Sequence, residues 1–444
     1  MKQILIIGAG RSSPTLIKYL LEESEKNNWL IKVADLSLEL GESRINGHIN
    51  GKAIVFDVLN SQQREEEIKT ADIVVSMLPP ALHISVAVDC VRLKTNLVTA
   101  SYVSEELNKL HKEAINANIV LLNEIGLDPG LDHLSSMKII DEVRENNGII
   151  TSFESFTGGL VAPESDNNPW NYKFTWNPRN VVLAGQGGVK FIQESRYKYI
   201  PYHKVFSRTE KLHIGNAGAF EGYANRDSLK YREVYGLENI PTLYRGTLRR
   251  PGFCKAWDMF VQLGATDDSY IMENVDKMTH KDFINSFLFY HPGDSAKLKI
   301  AYHLGIGIES DEIEKLEWLG IFDPTPIGIS NATPAQILQH ILEKKWSLDS
   351  NDKDMIVMFH RMFFEEDGKQ KERNSYLVVK GDDSTYTAMA KTVGLPLGIA
   401  TKLILTEAIT EKGVLLPISK GIYEPTLIEL ESHGIKFIES IKEL

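Results

Sequence analysis

Short apolar runs recur through the first 130 residues and predict a series of buried β-strands. The runs occupy residues 4–7, 31–34, 53–56, 72–76, 96–100 and 119–122. Between several of them, apolar side chains recur three or four residues apart, which is typical of one helix face. Strands that alternate with helices in this way form a parallel sheet with helices on its faces. We therefore predict a doubly wound α/β fold for this part of the chain.

The pattern changes after about residue 150. Residues 151–156 alternate between apolar and polar side chains, as in a sheet with one solvated face. Residues 180–330 are rich in Gly, Tyr and Arg. Helices are predicted at residues 311–316, 334–346 and 387–405. The last should be interrupted around Pro396, because proline lacks the N–H that a helix interior needs. We expect a second, mixed α+β domain here.

The first predicted strand leads into a glycine loop. Gly8 would serve a tight turn, and Gly10 would let the backbone approach a pyrophosphate at a helix N-terminus. The third glycine of the usual pattern is replaced by Ser13, which is small enough for helix-strand packing. The alternative is a plain strand-to-helix turn. The loop favours a Rossmann-type, dinucleotide-binding domain.

Asp35 follows the second predicted strand and lies 22 residues after Ser13 (35 − 13). This spacing is near that of the acid that binds an adenosine ribose 2′-hydroxyl. A carboxylate at this position would repel a 2′-phosphate, so we predict NAD over NADP. The alternative is that Asp35 only ends the strand in a turn.

Residues 128–130, Asp-Pro-Gly, form a strong turn signal between the strand at 119–122 and the next helix. The ordinary interpretation is a capped helix start. Glu124, Asp128 and His133 nevertheless crowd the end of a strand. Ligands of parallel sheets bind beyond the carboxyl ends of their strands, so we expect this turn to belong to a functional site.

The bulk composition narrows the class of protein. The length of 444 residues allows two or three domains, and the net charge of -11 argues against nucleic-acid or anionic-membrane partners. Cys90 and Cys254 lack the spacing of a zinc site or a disulfide framework, so no metal is expected. No signal peptide is recognisable, and no apolar run approaches the roughly 18 residues of a membrane helix. We expect a cytoplasmic protein.

Several arginines stand out in the second half of this acidic chain. Their guanidinium groups can pair with carboxylates through two parallel hydrogen bonds. The candidates are Arg226, Arg232, Arg245, Arg249 and Arg250. Most surface arginines are simply solvated, and we select Arg226 and Arg249 as binding residues.

Seven motifs occur in a fixed order along the chain. They occupy residues 76–79, 99–102, 123–133, 158–164, 172–176, 225–228 and 245–249. Together they resemble the saccharopine dehydrogenase family of the L-glutamate-forming type, also called saccharopine reductase. The resemblance runs from Met1 to the tail.

The resemblance implies an NAD(P)-dependent oxidoreductase that acts on the CH–NH bond of saccharopine. The enzyme would interconvert saccharopine with 2-aminoadipate 6-semialdehyde and L-glutamate in lysine metabolism. Residues 1–130 and 392–444 would form the dinucleotide-binding domain, and residues 131–391 the substrate domain. These small molecules would be its partners, and the oligomeric state stays open, with a homodimer as one alternative.

The resemblance also implies roles for individual residues. The cofactor would contact Gly8, Ala9, Gly10, Arg11, Ser12, Asp35, Ser37, Asp57, Val58, Leu78, Thr99, Ala100, Leu127, Asp128, Pro129 and Thr175. Saccharopine would contact Ser101, Tyr102, Asp128, Arg226, Thr247, Leu248 and Arg249. Asp128 or Tyr102 would handle the proton, whereas His133 is expected to be a packed histidine.

The chain departs from the family pattern at three places. Residues 11–12, Arg-Ser, replace an apolar pair in the glycine loop. Residues 35–37, Asp-Leu-Ser, stand where NADP-using relatives carry Arg-Thr. Thr157 replaces a cysteine that many members have before the double glycine, so a thiol is not available there.

Two other functions are compatible with the sequence. A carboxynorspermidine-type imine reductase of the same superfamily would bind a cationic substrate, and the selected arginines count against it. A non-catalytic dinucleotide sensor would need no second domain with Arg, Ser and Asp side chains.

Overall fold

A computed structural model describes the whole chain, residues 1–444. The chain divides into two compact units. The first unit consists of residues 1–150, 364–371 and 377–444, and the second consists of residues 151–363 and 372–376.

The structure contains sixteen β-strands. They are β1 (Lys2–Ile7), β2 (Trp29–Asp35), β3 (Gly51–Val55), β4 (Ile73–Ser76), β5 (Asn96–Thr99), β6 (Val120–Leu122), β7 (Ile149–Val161), β8 (Val189–Gln193), β9 (Arg196–Ile200), β10 (Thr209–Ile214), β11 (Gly218–Ala224), β12 (Thr242–Arg249), β13 (Asp354–Glu366), β14 (Lys369–Lys380), β15 (Gly413–Leu415) and β16 (Ile438–Glu443).

Sixteen α-helices connect or flank the strands. They are α1 (Pro14–Asn27), α2 (Leu38–Ile45), α3 (Ser61–Thr70), α4 (His83–Leu93), α5 (Glu105–Lys109), α6 (His111–Asn116), α7 (Leu131–Glu145), α8 (Pro178–Val182), α9 (Lys230–Val234), α10 (Phe253–Leu263), α11 (His280–Asn285), α12 (Ala296–Leu304), α13 (Asp311–Trp318), α14 (Pro334–Trp346), α15 (Ala388–Leu405) and α16 (Lys420–Ser432). Short 3₁₀ helices occur at Pro80–Leu82, Pro163–Ser165, Tyr202–Lys204, Gly215–Ala217 and Val275–Lys277.

The first unit is built on a seven-stranded sheet whose strands are all parallel. Their order is β15-β6-β5-β4-β1-β2-β3. Six of these strands have the order 3-2-1-4-5-6, which is that of the doubly wound dinucleotide-binding fold. Strands buried on both faces read as continuous apolar runs, which is why the sequence predicted them. The predicted parallel sheet is confirmed.

The C-terminal segment completes the first unit. Strand β15 extends the sheet by pairing with β6, and helix α15 packs on α1. A Cβ atom at Gly394 would lie 2.7 Å from the Leu16 nitrogen, and one at Gly398 would lie 2.5 Å from the Tyr19 ring. The two glycines therefore allow α15 to approach the helix that follows the glycine loop.

Helix α15 differs from the sequence-based expectation. It continues from Ala388 to Leu405 with Pro396 inside it, so the predicted interruption is wrong. Its packing against α1, α7 and α16 outweighs the hydrogen bond that proline cannot make. The helix is also long and apolar enough to cross a membrane, but 83% of it is buried inside the protein. Such burial is typical of a helix in the core of a protein.

The second sheet is mixed. Its strands follow the order β10-β11-β12-β7-β13-β14-β16, with β8 paired to β12 and β9 paired to β8. Strand β12 runs parallel to β7 and antiparallel to β11. In the second unit, a cluster that includes the fully buried Trp170, Trp257 and Trp346 forms the core. The predicted mixed α+β domain is confirmed.

Candidate functional site

The glycine loop of the first unit has the geometry of a phosphate-binding turn. Gly8 has a φ of 107°, and a Cβ atom there would lie 3.2 Å from the Met77 carbonyl oxygen. A Cβ atom at Gly10 would meet nothing within 4 Å, so this side of the loop is open to a ligand. The buried Ser13 hydroxyl donates to the Gly10 carbonyl at 2.8 Å. Ser13 stands where the third glycine of the usual pattern would be, and this hydrogen bond holds the loop in place.

Asp35 is bound to the glycine loop. Its Oδ2 accepts the Ala9 N–H at 2.8 Å, and its Oδ1 accepts the Ser37 N–H at 3.0 Å. Arg44, which the sequence analysis did not select, donates its Nε to the Ala9 carbonyl at 3.3 Å. Hydrogen bonds therefore connect Ala9, Asp35 and Ser37, which were expected to contact the cofactor. Arg44 joins this group through Ala9.

The residues expected beside the adenine follow the next strand. Phe56 N–H donates to the Asp35 carbonyl at 2.8 Å, which joins the ends of β2 and β3. Asp57 is exposed, and its Oδ1 accepts the Leu59 N–H at 2.9 Å. Val58 is buried. The structure therefore groups Asp57 and Val58 with Asp35 at one edge of the sheet.

The Asp-Pro-Gly turn packs against the end of β5. Gly126 N–H donates to the Pro129 carbonyl at 3.0 Å, and Ile125 N–H donates to the Thr99 carbonyl at 3.3 Å. A Cβ atom at Gly126 would lie 2.8 Å from the Ala100 Cβ. The turn that carries Leu127, Asp128 and Pro129 therefore lies beside Thr99 and Ala100, as the site requires.

Glu124 holds the loop that follows β5. Its N–H donates to the Ser101 carbonyl at 3.1 Å, and its Oε1 accepts the Val103 N–H at 3.0 Å. Its Oε2 lies 2.9 Å from Nε2 of His133, which is completely buried. His133 is thus a packed partner of Glu124, and the pair positions Ser101 and Tyr102.

His83 is a site residue that the sequence analysis missed. It begins α4, and its Nδ1 lies 2.9 Å from Ser76 Oγ while its Nε2 lies 2.7 Å from Ser101 Oγ. Burial lowers the pKa of His83 to about 4, against a weaker opposing interaction with the Leu78 backbone. The neutral ring therefore links the ends of β4 and β5. The only sequence signal was its place directly after the loop that breaks β4.

The strand register of the second unit aligns the expected substrate residues. Thr247 pairs with Thr157 on β7 and with Tyr223 on β11, so the three side chains share one sheet face. Arg249 lies two residues further along β12, on the same face. Leu248 points to the other face, where a Cβ atom at Gly158 would lie 2.8 Å from its Cβ.

Arg249 is a buried cation in an aromatic cage. Its guanidinium carbon lies 5.0 Å from the Tyr172 ring centre, 5.3 Å from Phe253 and 5.8 Å from Tyr223. One terminal nitrogen donates to the Leu248 carbonyl at 2.9 Å, and Nε has no hydrogen-bond partner. Burial raises the pKa of Tyr172 to about 12, so its phenol stays neutral beside the cation.

Several buried hydroxyls in the second unit also have no hydrogen-bond partner, among them those of Thr157 and Thr175. Buried polar groups are almost always paired, so an unpaired one requires an explanation. Together with Arg249 Nε they are groups that a polar ligand can satisfy.

Arg226 lies in the exposed loop after β11. Its carbonyl accepts the Lys190 N–H at 2.9 Å, and its φ is 50°. The neighbouring Asn225 N–H donates to the Arg245 carbonyl at 2.9 Å, which ties this loop to β12. The Arg245 guanidinium packs on the Tyr231 ring, with its central carbon 3.8 Å from the ring centre.

The strand order, the glycine turn and the bound Asp35 define a dinucleotide-binding protein, and its second unit buries an arginine suited to anions. A model of the saccharopine dehydrogenase NADP binding domain matches residues 4–122, and one of the saccharopine dehydrogenase C-terminal domain matches residues 126–435. The chain belongs to the saccharopine dehydrogenase family. The family resemblance predicted from the sequence is confirmed.

Individual relatives match along the whole chain. Saccharopine dehydrogenase (NADP(+), L-glutamate-forming) of Schizosaccharomyces pombe is 33% identical over 99% of both chains. Mitochondrial alpha-aminoadipic semialdehyde synthase of Bos taurus is 33% identical over 98% of this chain and 47% of its own length. The solved structure of apo saccharopine dehydrogenase (L-Glu forming) from Saccharomyces cerevisiae covers 100% of both chains, with 30% identity and a TM-score of 0.88.

The comparisons do not support the expected preference for NAD. The family model is described as an NADP binding domain, and the name of the Schizosaccharomyces pombe relative specifies NADP(+). The expectation rested on the charge of Asp35 alone. Asp35 is not the only charged side chain at this position, because Arg44 binds the same loop residue.

Proposed function

We propose that this protein is an NAD(P)-dependent oxidoreductase that interconverts saccharopine with 2-aminoadipate 6-semialdehyde and L-glutamate, in lysine metabolism. The observation that carries the proposal is Arg249, a buried guanidinium with an unpaired Nε, in a chain that matches the named relatives over its full length. A buried cation is expensive without an anionic partner. A substrate carboxylate is such a partner.

Saccharopine carries three carboxylates and one secondary amine, so its recognition needs cations more than apolar contacts. Arg249 would bind one carboxylate, and Arg226 on its exposed loop would bind a second. Thr247 shares the face of Arg249 and would add a hydroxyl donor. Leu248 would contribute through its backbone, since its carbonyl already accepts from Arg249.

The first unit would supply the cofactor site and the proton handling. A bound nicotinamide accepts or supplies the hydride when the C–N bond is oxidised or reduced. Ser101 and Tyr102 would orient the amine, and Asp128 or Tyr102 would accept the proton that the amine loses. Water would then hydrolyse the resulting C=N bond and release L-glutamate and the semialdehyde. Holding the reacting groups in position supplies a large part of the rate of such a reaction.

We also propose a division of labour along the chain. Residues 1–130 and 392–444 would bind the dinucleotide, and residues 131–391 would bind the amino-acid substrate. The names of the relatives favour NADP as the oxidant, and Asp35 leaves NAD as a second oxidant. A cytoplasmic location is part of the same proposal.

The test is an absorbance assay at the NADH and NADPH band with the purified full-length protein. We expect reduction of the dinucleotide with saccharopine, and release of L-glutamate identified by mass spectrometry. Carboxynorspermidine serves as the matched cationic substrate and should give no signal. Turnover of carboxynorspermidine alone would support the imine reductase, and dinucleotide binding without turnover of either would support a sensor.

A further inference from the structure

We propose that Arg44 and Ser37 form a subsite for the 2′-phosphate of NADP, which lets this chain accept NADP although Asp35 is present. The inference rests on the proposed function as a dinucleotide-dependent enzyme and identifies which side chains select the dinucleotide. It reconciles Asp35, the last residue of β2 in this chain, with a family model that is described as NADP binding.

Arg44 lies in the last turn of α2 and reaches back to the glycine loop. Its Nε donates to the Ala9 carbonyl at 3.3 Å, while the Ala9 N–H donates to Asp35 Oδ2 at 2.8 Å. Both charged groups therefore contact the same residue from its two ends. Arg44 makes no ion pair and no other hydrogen bond, so its terminal nitrogens can donate to a ligand.

Ser37 is a second candidate donor, because its N–H donates to Asp35 Oδ1 at 3.0 Å and thus connects it to the same carboxylate. Its Oγ accepts the Leu40 N–H at 3.2 Å as the N-cap of α2, so its own proton can be donated to a ligand. Ser37 is exposed and lies two residues after Asp35. A phosphate beside the adenosine ribose would thus meet one hydroxyl and one guanidinium.

The magnitudes allow Arg44 to compensate for Asp35. Two like charges about 4 Å apart repel each other weakly in water and more strongly near a protein surface. A guanidinium can donate two parallel hydrogen bonds to one phosphate, and hydrogen bonds between charged groups are stronger than neutral ones. NAD needs no such compensation, because its ribose hydroxyls can use the remaining lone pairs of Asp35.

The test is isothermal titration of the full-length protein with NADPH, NADH, 2′,5′-ADP and 5′-AMP, in the absence of any amino-acid substrate. In Arg44→Gln, we expect the Kd for NADPH and for 2′,5′-ADP to rise about 10-fold to 100-fold. The Kd for NADH and for 5′-AMP should change less than about twofold, since neither carries a 2′-phosphate. Arg44→Lys should lie between, because it keeps the charge without the fork.

Arg11→Gln is the matched control. Arg11 is an exposed cation of the glycine loop, and its loss should weaken NADH and NADPH by similar factors because both carry the pyrophosphate. An equal rise of the Kd for NADH and NADPH in Arg44→Gln would overturn the proposal. Arg44 would then only stabilise the conformation of the glycine loop. Failure of the unaltered protein to bind 2′,5′-ADP would also overturn it. Neither result bears on saccharopine turnover, which is measured separately.

Discussion

The imidazole of His83 lies 2.7 Å from the hydroxyl of Ser101, the second residue after the end of β5. On its other side the ring lies 2.9 Å from Ser76 at the end of β4. Because the ring is buried and neutral, it can donate to only one of the two hydroxyls and must accept from the other. The tautomer of the ring therefore decides whether the Ser101 hydroxyl donates to His83 or accepts from it.

This relationship predicts that His83 acts on the substrate through Ser101. Ser101→Ala should raise the saccharopine KM about 3-fold to 10-fold, the effect of one hydrogen bond. His83→Ala should raise it by a similar factor, and the double variant should be no worse than Ser101→Ala alone. His83→Gln should recover part of the loss, since its amide can replace one ring nitrogen. Steady-state kinetics of the four variants and the unaltered protein make the measurement.

Additive effects in this cycle would contradict the prediction, because a residue that works through Ser101 has nothing left to disturb once its hydroxyl is gone. The dinucleotide Kd of each variant serves as the control. A loss of dinucleotide affinity equal to the loss of saccharopine affinity would indicate a general structural role.

The low pKa of His83 predicts an acid sensitivity of the fold. In the unfolded chain the imidazole takes up a proton as the pH falls through its ordinary pKa of 6.5, whereas in the folded protein it does so only near pH 4. Stability is therefore lost as the pH drops between these values, by up to about 3 kcal/mol from this group. Urea unfolding at pH 7 and pH 4.5 should show a smaller loss for His83→Gln. An identical loss in both proteins would disprove the assignment.

Replacement of Arg249 should change substrate binding much more than the stability of the fold. Arg249→Met should raise the saccharopine KM about 10-fold to 100-fold, because it removes a charge-assisted contact to a carboxylate. Its free energy of unfolding should change by less than about 1 kcal/mol, because the nearby carboxylate of Glu221 keeps its hydrogen bond from the Cys254 N–H. Kinetics and urea unfolding measure the two effects.

The adjacent Arg250 offers a matched control. Its guanidinium donates to the Ala217 carbonyl at 3.1 Å and lies 4.4 Å from the Phe220 ring centre. Arg250→Met should leave the saccharopine KM within about twofold, since the contacts of Arg250 are to the protein itself. Loss of one hydrogen bond to the backbone should lower the free energy of unfolding by only about 1 kcal/mol. Equal effects of the two variants on KM would remove Arg249 from the substrate site.

Arg226 predicts a similar loss of substrate affinity from an exposed position. Arg226→Ala should raise the saccharopine KM about 3-fold to 30-fold, less than Arg249→Met, because solvent weakens charge interactions at the surface. The Kd for NADPH should stay unchanged, and higher salt should narrow the difference from the unaltered protein. An equal loss of both ligands would point to a structural role of the loop.

The sequence by itself determined the parallel sheet and the dinucleotide-binding turn. Both are local in origin: strands buried on two faces must be continuously apolar, and a tight turn near a phosphate needs glycine at fixed offsets. The positions of Gly8, Gly10 and Asp35 follow directly from those requirements. The ordered motifs also determined the family, which the comparisons confirm.

Only the tertiary structure decided how distant residues combine. Pro396 lies inside a continuous helix because packing outweighs local propensity, and Thr157 and Tyr223 share a sheet face with Thr247 because strand register pairs them. The contact of His83 with Ser101 spans 18 residues, and that of Arg44 with Ala9 spans 35. Such contacts have no periodic signature in the sequence, because they depend on where the sheet and its helices bring separate strand ends together.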